Sequence, residues 1–433
     1  MLNIKSKWIA TLGLGLALTG AAQAQSADNQ ALINALIKKG VLTEKEAKDI
    51  TGEIAKAQAS QNVEINADAY IQKVTVGGRW QVQYVGLGTS INGTGVNPVS
   101  TEHFLLRRIY LNFGVQFADG FSGAVSYDAA VSGFNQAILQ WKQSDLFSIR
   151  AGLDKAPFGY EELISSGDLK AIERSTVTNY FDNGNNGRRL GASAYRTGIF
   201  AGGTYEGFYY ALALTNPERN EYAGDSTNIS VLVNGLGGVG STGGATTNRF
   251  AYYGTVGYSG AFGEGPTKGK YKVGYETGFL PDQGGPVATI GGGQNISLSG
   301  AFVDVTVGAF TIAGEYESAK DDSGVAIHHN ANIHGYWIQP SFKLTPQWEA
   351  VANYSAINSD GRGVTLSDVV RSAPSGGTMN KADELYLGFN YYIKGNDVKL
   401  QAGYIHGSSN DTVKGAPAKA ETDGLRSQFQ IQF

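Results

Sequence analysis

The chain has 433 residues with 60 glycines, 23 tyrosines and 19 phenylalanines, yet only 17% of its residues are charged and its formal net charge is -4. Such a profile favours many short strands joined by tight turns over a helical enzyme. With no cysteine, disulfides and thiolate metal sites are excluded, and the negative charge argues against a nucleic-acid partner.

The first residues, MLNIKSKW, carry Lys5 and Lys7, and IATLGLGLAL follows as an apolar run too short to cross a bilayer. Ala22, Gln23 and Ala24 offer the small-residue pattern that a signal peptidase reads. The expectation is a signal peptide over 1–24, cleaved after Ala24, and export of the remainder. Losing two lysines and no acids takes the net charge from -4 to -6.

Residues 25–62 follow a different rhythm from everything downstream. Leu32, Ile33, Leu36 and Ile37 share one face at helical spacing, and Gly40 stops that helix. Thr43 and Glu46 form a capping box, after which Ala47, Ile50 and Ile54 continue an apolar stripe. This reads as a short periplasmic helical hairpin, with too few heptads for an extended coil.

From about Val74 the period changes to two. In IYLNFGVQF, Ile109, Leu111, Phe113, Val115 and Phe117 point one way, and Tyr110, Asn112, Gly114 and Gln116 the other. Sixteen such segments can be placed, near 74–87, 104–117, 121–129, 134–142, 146–154, 189–196, 208–215, 250–258, 271–279, 295–307, 310–318, 333–343, 348–357, 381–393, 398–406 and 425–433. Their connections alternate short and long, apart from a brief link at 130–133 and medium ones at 197–207 and 259–270. Short turns on one rim, long loops on the other and an even strand count describe an outer-membrane barrel. A bilayer admits only helices or closed barrels, and no run here is apolar enough for a membrane helix. The expected fold is all-β: a 16-stranded antiparallel transmembrane β-barrel over 63–433. In the final strand Phe429, Ile431 and Phe433 alternate with Gln428, Gln430 and Gln432, placing an aliphatic and aromatic row against lipid and an amide row in a wet lumen.

The block KAPFGYEELISSGDLKAIERSTVTNYFDNGNNGRRLGASAY, from Lys155 to Tyr195, breaks the strand pattern for more than thirty residues. Its opening at Pro157 to Leu163, its centre from Asp168 to Ser175 and its close from Gly187 to Gly191 resemble the phosphate-selective porin O and P family. The stretches 107–128 and 387–407 are also similar to that family. The likeness is dense over 107–191 and covers most of the mature chain. It implies a trimeric channel in the outer membrane of a Gram-negative bacterium, in contact with lipid and lipopolysaccharide. It further implies that the insertion after the fifth strand is a constriction loop folded into the pore. Terminal Phe433 resembles the mark read by the outer-membrane assembly machinery.

Anion selectivity, which membership of that family would imply, needs a cationic lumen. If Trp80, Val82 and Tyr84 face lipid, strand parity turns Arg79 inward, and the same parity turns Arg108, Lys142, Arg150 and Arg189 inward with Asp128 and Asp154. Arg107 falls on the lipid row near the loop end, within reach of lipid phosphates. Candidate pore-lining anion contacts are therefore Arg79, Arg108, Lys142, Arg150, Arg174, Arg188 and Arg189. Acidic lumen candidates are Glu276, Glu315, Glu317, Glu349 and Glu384, offset by Lys272, Lys399 and Arg426. A basic wall against an acidic wall leaves little net bias. The function expected is a passive diffusion channel for small polar or anionic solutes, phosphate among the candidates, with weak charge selectivity.

Other patterns carry less. Gly235, Gly237 and Gly240 match a dinucleotide-binding spacing but lack the helix and the acidic residue that motif needs. His328, His329 and His334 share a loop without supporting carboxylates, so no metal or cofactor is expected. His103 and His406 lie in no nucleophile context, so an enzyme is not expected and no catalytic residue is assigned. The alternatives are a barrel with a plugged lumen in a structural or adhesive role and, last, an outer-membrane hydrolase.

Overall fold

The computed structural model describes residues 70–92, 99–182, 190, 192–216, 250–283, 294–322, 330–360, 364–365, 378–411 and 418–433. The expected signal peptide, the helical hairpin, the glycine motif at 235–240, His328, His329, Arg188 and Arg189 lie outside these residues. Strands β1 Ile71–Asn92, β2 Val99–Phe117, β3 Phe121–Asp128, β4 Gly133–Lys142, β5 Ser148–Lys155, β6 Tyr195–Tyr205 and β7 Phe208–Thr215 form the first part of the wall. They are followed by β8 Ala251–Phe262, β9 Gly269–Gln283, β10 Gln294–Val307, β11 Phe310–Asp322, β12 Ala331–Lys343 and β13 Trp348–Asn358. A two-residue pair, β14 Val364–Thr365 with β15 Thr378–Met379, lies in the next connection. The strands β16 Lys381–Lys394, β17 Val398–Asp411 and β18 Ala418–Gln432 complete the wall.

All but that small pair join one closed antiparallel barrel of sixteen strands, in which each pairs with its neighbour and β1 also pairs with β18. At this seam Trp80 lies opposite Ile431, Gln81 opposite Gln430, Val82 opposite Phe429 and Gln83 opposite Gln428. Alternation therefore continues across it. Trp80 is 49% and Phe429 40% exposed on the outside, whereas Gln81 and Gln430 are 1% and 0% exposed inside. An outward belt of tryptophan, phenylalanine, tyrosine and leucine suits hydrocarbon, and closure leaves no unpaired strand edge in it. Among the described residues no helix is long and apolar enough to cross a membrane; the crossing elements are strands.

Two local readings are corrected. The sixth strand is Tyr195–Tyr205, displaced from the expected 189–196. Its alternation is hidden because Arg196 and Phe200 are both buried on the inward row, while Ile199 and the small Ala201 and Gly203 occupy the outward one. The strand ends in a two-residue turn, Glu206 at φ 47° and Gly207 at φ 89°, a left-handed pair suited to a tight hairpin. With that strand in place the turns of one rim lie at 118–120, 143–147, 206–207, 263–268, 308–309, 344–347 and 395–397, and the link at 129–132 stays a brief connection on the opposite rim.

The second correction concerns Arg107. In the β1–β2 pairing Gln81 faces Arg108 and Val82 faces Leu106, so Arg107 is an extra residue in a β-bulge. A bulge moves one residue out of the two-residue rhythm. Arg107 and Arg108 consequently both turn inward, and Arg107 does not reach lipid phosphates; its guanidinium meets Glu173 inside the barrel.

Leu387, on the outward row of β16 beside Tyr404 and Ala352, tests which face meets hydrocarbon. Leu387→Arg is expected to lower folding stability in vesicles by about 2–4 kcal/mol, read from urea titration with tryptophan fluorescence. A change near zero would place that row away from lipid.

Candidate functional site

Between β5 and β6 the chain leaves the wall and crosses the lumen. Two short helices give this loop structure, α1 Tyr160–Leu163 and α2 Thr176–Phe181. Gly159 enters α1 at φ 84°, where an added Cβ would lie 2.1 Å from Asp182 Oδ2, so a larger side chain is excluded. Ser175 caps α2 by accepting from the Thr178 N–H at 3.2 Å. Phe158, Ile172, Val177, Tyr180 and Phe181 are fully buried, packed with Trp337, Ile333 and Phe302 from the inside of the wall. The Tyr160 ring stacks on Phe302 with centroids 4.2 Å apart. This side of the lumen is a packed apolar core, where strand parity pointed to water.

The acidic wall holds the first turn of the loop. Gly159 N–H donates to Glu276 at 2.9 Å, while the Tyr160 and Glu161 N–H groups donate to the two oxygens of Glu315 at 2.5 and 3.1 Å. Trp337 Nε1 donates to the same carboxylate at 2.9 Å. These acceptors satisfy donors that a helix start leaves open. Glu161 then accepts from Ser175 N–H and Thr178 Oγ1 at 2.9 and 2.6 Å, tying α1 to α2. Glu317 is buried on the same wall, and Glu384 accepts from Thr176 Oγ1 at 3.4 Å.

The amide row grips the loop's carbonyls. Gln81 donates to Ser166 O and Gln430 to Gly167 O, both at 3.0 Å. Gln401 donates to Leu169 O and Lys170 O, Asn390 to Lys170 O, and Lys399 Nζ to Leu169 O at 2.9 Å. A glutamine chain is long enough to reach a backbone passing over the wall, and each carbonyl so met escapes the penalty of dry burial.

Of the five predicted anion contacts among the described residues, Arg79, Arg108 and Arg174 are committed to the loop. Arg79 donates to Ser165 and Ser166 Oγ, each at 2.8 Å. Arg174 pairs with Glu162 at 2.9 Å and donates to the carbonyls of Glu161, Glu162 and Ile164, an internal staple of the loop. Lys170 pairs with Glu349 at 2.8 Å, and Lys155 with Glu162 at 3.0 Å. Arg108, only 4% exposed, donates to Gln81 at 2.7 Å beside Glu173. Lys142 pairs with Asp145 at 2.7 Å at the β4–β5 turn, away from the loop. Lys272 Nζ lies 4.9–5.9 Å from the ring centres of Tyr160, Tyr209 and Phe302.

These anchors run along β1, β2, β8 to β13 and β16 to β18. Facing them, the inward row of β5 carries Arg150, whose side chain is 38% exposed and pairs with Asp154 at 3.0 Å; Gln136 donates to the same Asp154 at 2.8 Å. Sequence reasoning listed Arg150 but overlooked Glu173 as the focus of three arginines and the glutamines as loop holders. The adjacent Arg107 and Arg108 and the rows QVQ and QFQIQ were the available signals.

Asp182, at the end of α2, is buried; that burial and then the charges of Glu315 and Glu162 hold its carboxyl well above the usual range. A raised acid adds stability in full below its unfolded value and loses it as pH rises toward the folded one. The wild type's urea midpoint is therefore expected to fall between pH 5 and pH 8, and Asp182→Asn to flatten that fall. Equal slopes for the two proteins would remove Asp182 as a source.

The comparisons agree with this architecture. Residues 74–433 match the family described as phosphate-selective porin O and P. Among solved structures, the anion-selective porin from Comamonas acidovorans superposes with a TM-score of 0.52 at 13% identity, covering 82% of this chain and 99% of that one. OmpT of Vibrio cholerae, folded in vitro, gives 0.50 at 14% identity, covering 86% and 99%. At such identities the likeness shows the fold alone. Among curated proteins no sequence matches. A closed sixteen-stranded barrel with a long lumen loop, matched by its family from the first strand to the last residue, makes this chain a passive diffusion channel of the Gram-negative outer membrane and a member of the phosphate-selective porin O and P family.

Proposed function

We propose that this porin passes small polar solutes with only a weak preference for anions, along the stretch between the lumen loop and the β3–β5 wall. The observation that carries the reading is how the cations are used. Arg79, Arg107, Arg108, Arg174, Lys170 and Lys399 each bind loop or wall oxygens, so their fields are largely cancelled or turned away from water. Anion selection requires rings of uncompensated arginine or lysine facing the passage. Arg150 is the partly exposed candidate, and Asp154 offsets it. Phosphate remains within the solute class as one small anion among others.

The assembly is proposed to be a homotrimer surrounded by lipid and lipopolysaccharide, delivered by the outer-membrane assembly machinery through Phe433, with no catalytic role. These points rest on the family resemblance. The division into signal peptide (1–24), periplasmic helical segment (25–62) and barrel domain (63–433) rests on sequence pattern.

Planar bilayers with a potassium chloride gradient test the selectivity. The wild type is expected to show a small reversal potential of anionic sign. Arg150→Ala should lower the chloride-to-potassium permeability ratio about twofold, while Arg108→Ala leaves it within error. A strong cation preference in the wild type, or a larger effect at Arg108 than at Arg150, would overturn the reading.

A further inference from the structure

Three guanidiniums converge on one carboxylate. Arg107 grips Glu173 side-on, with Nε 2.5 Å from Oε1 and Nη2 3.1 Å from Oε2. Gln83 Nε2 donates to Oε1 at 2.8 Å, and Arg108 and Arg426 stand 3.8 and 3.7 Å away. One cation suffices to anchor a loop carboxylate, so two are surplus. The surplus is built in by the β1–β2 bulge, which turns consecutive arginines to one face; bulges re-aim side chains in this way beside functional sites.

Arg426 adds an independent observation. Its side chain is 1% exposed, and its Nε and Nη2 have no hydrogen-bond partner among the described residues. A small cavity of about 20 Å³ lies beside it, lined in part by Glu173, Ser175, Asn179, Glu384 and Tyr386. Leaving charged donors unmet in such a place is costly. Of the other charges at this cavity, Arg174 is taken by Glu162, and Glu384 accepts from Thr176 Oγ1 at 3.4 Å and attracts Arg426 without hydrogen-bonding its Nε or Nη2. Planar guanidiniums and an amide set around two oxygens are matched to an oxyanion of carboxylate shape.

We propose that Arg107, Arg108, Arg426 and Gln83 form an oxyanion site for small carboxylates on the barrel wall, and that Glu173 is its tethered occupant. The idea rests on the channel reading above. Tethering gives Glu173 an effective concentration that free solute does not match, so the site is masked in the native protein. One loop residue thereby sets the ion preference of the lumen.

The test uses the full-length protein in planar bilayers, wild type beside Glu173→Ala and Glu173→Gln, with acetate as probe. Glu173→Ala should raise the chloride-to-potassium permeability ratio about threefold or more. Acetate at about 10 mM should then reduce its chloride current with saturation, as expected for a millimolar site. The wild type should show no saturable effect, and adding Arg107→Gln to Glu173→Ala should abolish it. Glu173→Gln, which keeps the volume and removes the charge, should shift the ratio with a weaker acetate effect. A conducting Glu173→Ala channel with the wild-type ratio, or acetate inhibition that ignores Arg107, would overturn the proposal. If Glu173→Ala fails to fold, judged by heat-modifiable migration in gels, Glu173→Gln carries the ratio test; failure of both would make Glu173 a purely structural clasp. A wild type without conductance would strike instead at the channel reading itself.

Discussion

A chain that crosses the inside of a barrel carries backbone donors and acceptors into a space where water is scarce. Every one of them needs a partner, because an unmet group in a dry contact costs more than the contact returns. Here the wall supplies those partners in two chemical halves. Carboxylates of β9 and β11 accept the N–H groups at Gly159, Tyr160 and Glu161, and amides of β1, β16, β17 and β18 donate to the carbonyls from Ser166 to Lys170. The polarity of the two walls follows the polarity of the backbone they hold.

This arrangement changes what lumen charge means. In an empty pipe, inward arginines on one side and glutamates on the other would set up a field across the water. In this barrel most of them face protein, and on the proposed reading an ion meets chiefly the stretch around Arg150 and Asp154. Counting inward charges along the strands therefore overstates selectivity, since a charge engaged in a short ion pair or a peptide contact contributes little at the distance of a passing solute.

The barrel itself was legible in the sequence because lipid and lumen impose a two-residue rhythm that survives over most strands. It failed where the lumen is not wet. Phe200 points inward beneath the loop, and this erased the contrast that would have marked β6. The β1–β2 bulge was equally invisible, since Arg107 and Arg108 look like one outward and one inward residue until the pairing with Gln81 and Val82 is known. Family likeness pointed to an insertion folded into the lumen, but its partners lie between about 65 and 265 residues away in sequence. No local pattern encodes such pairings.

The loop also touches both sides of the seam. Gln81 and Gln83 reach it from the first strand, and Gln430 and Arg426 from the last. These contacts add to the β1–β18 ladder, so the loop bridges the two strands that shut the cylinder. A chain lacking that insertion would lose part of the adhesive that brings first strand to last.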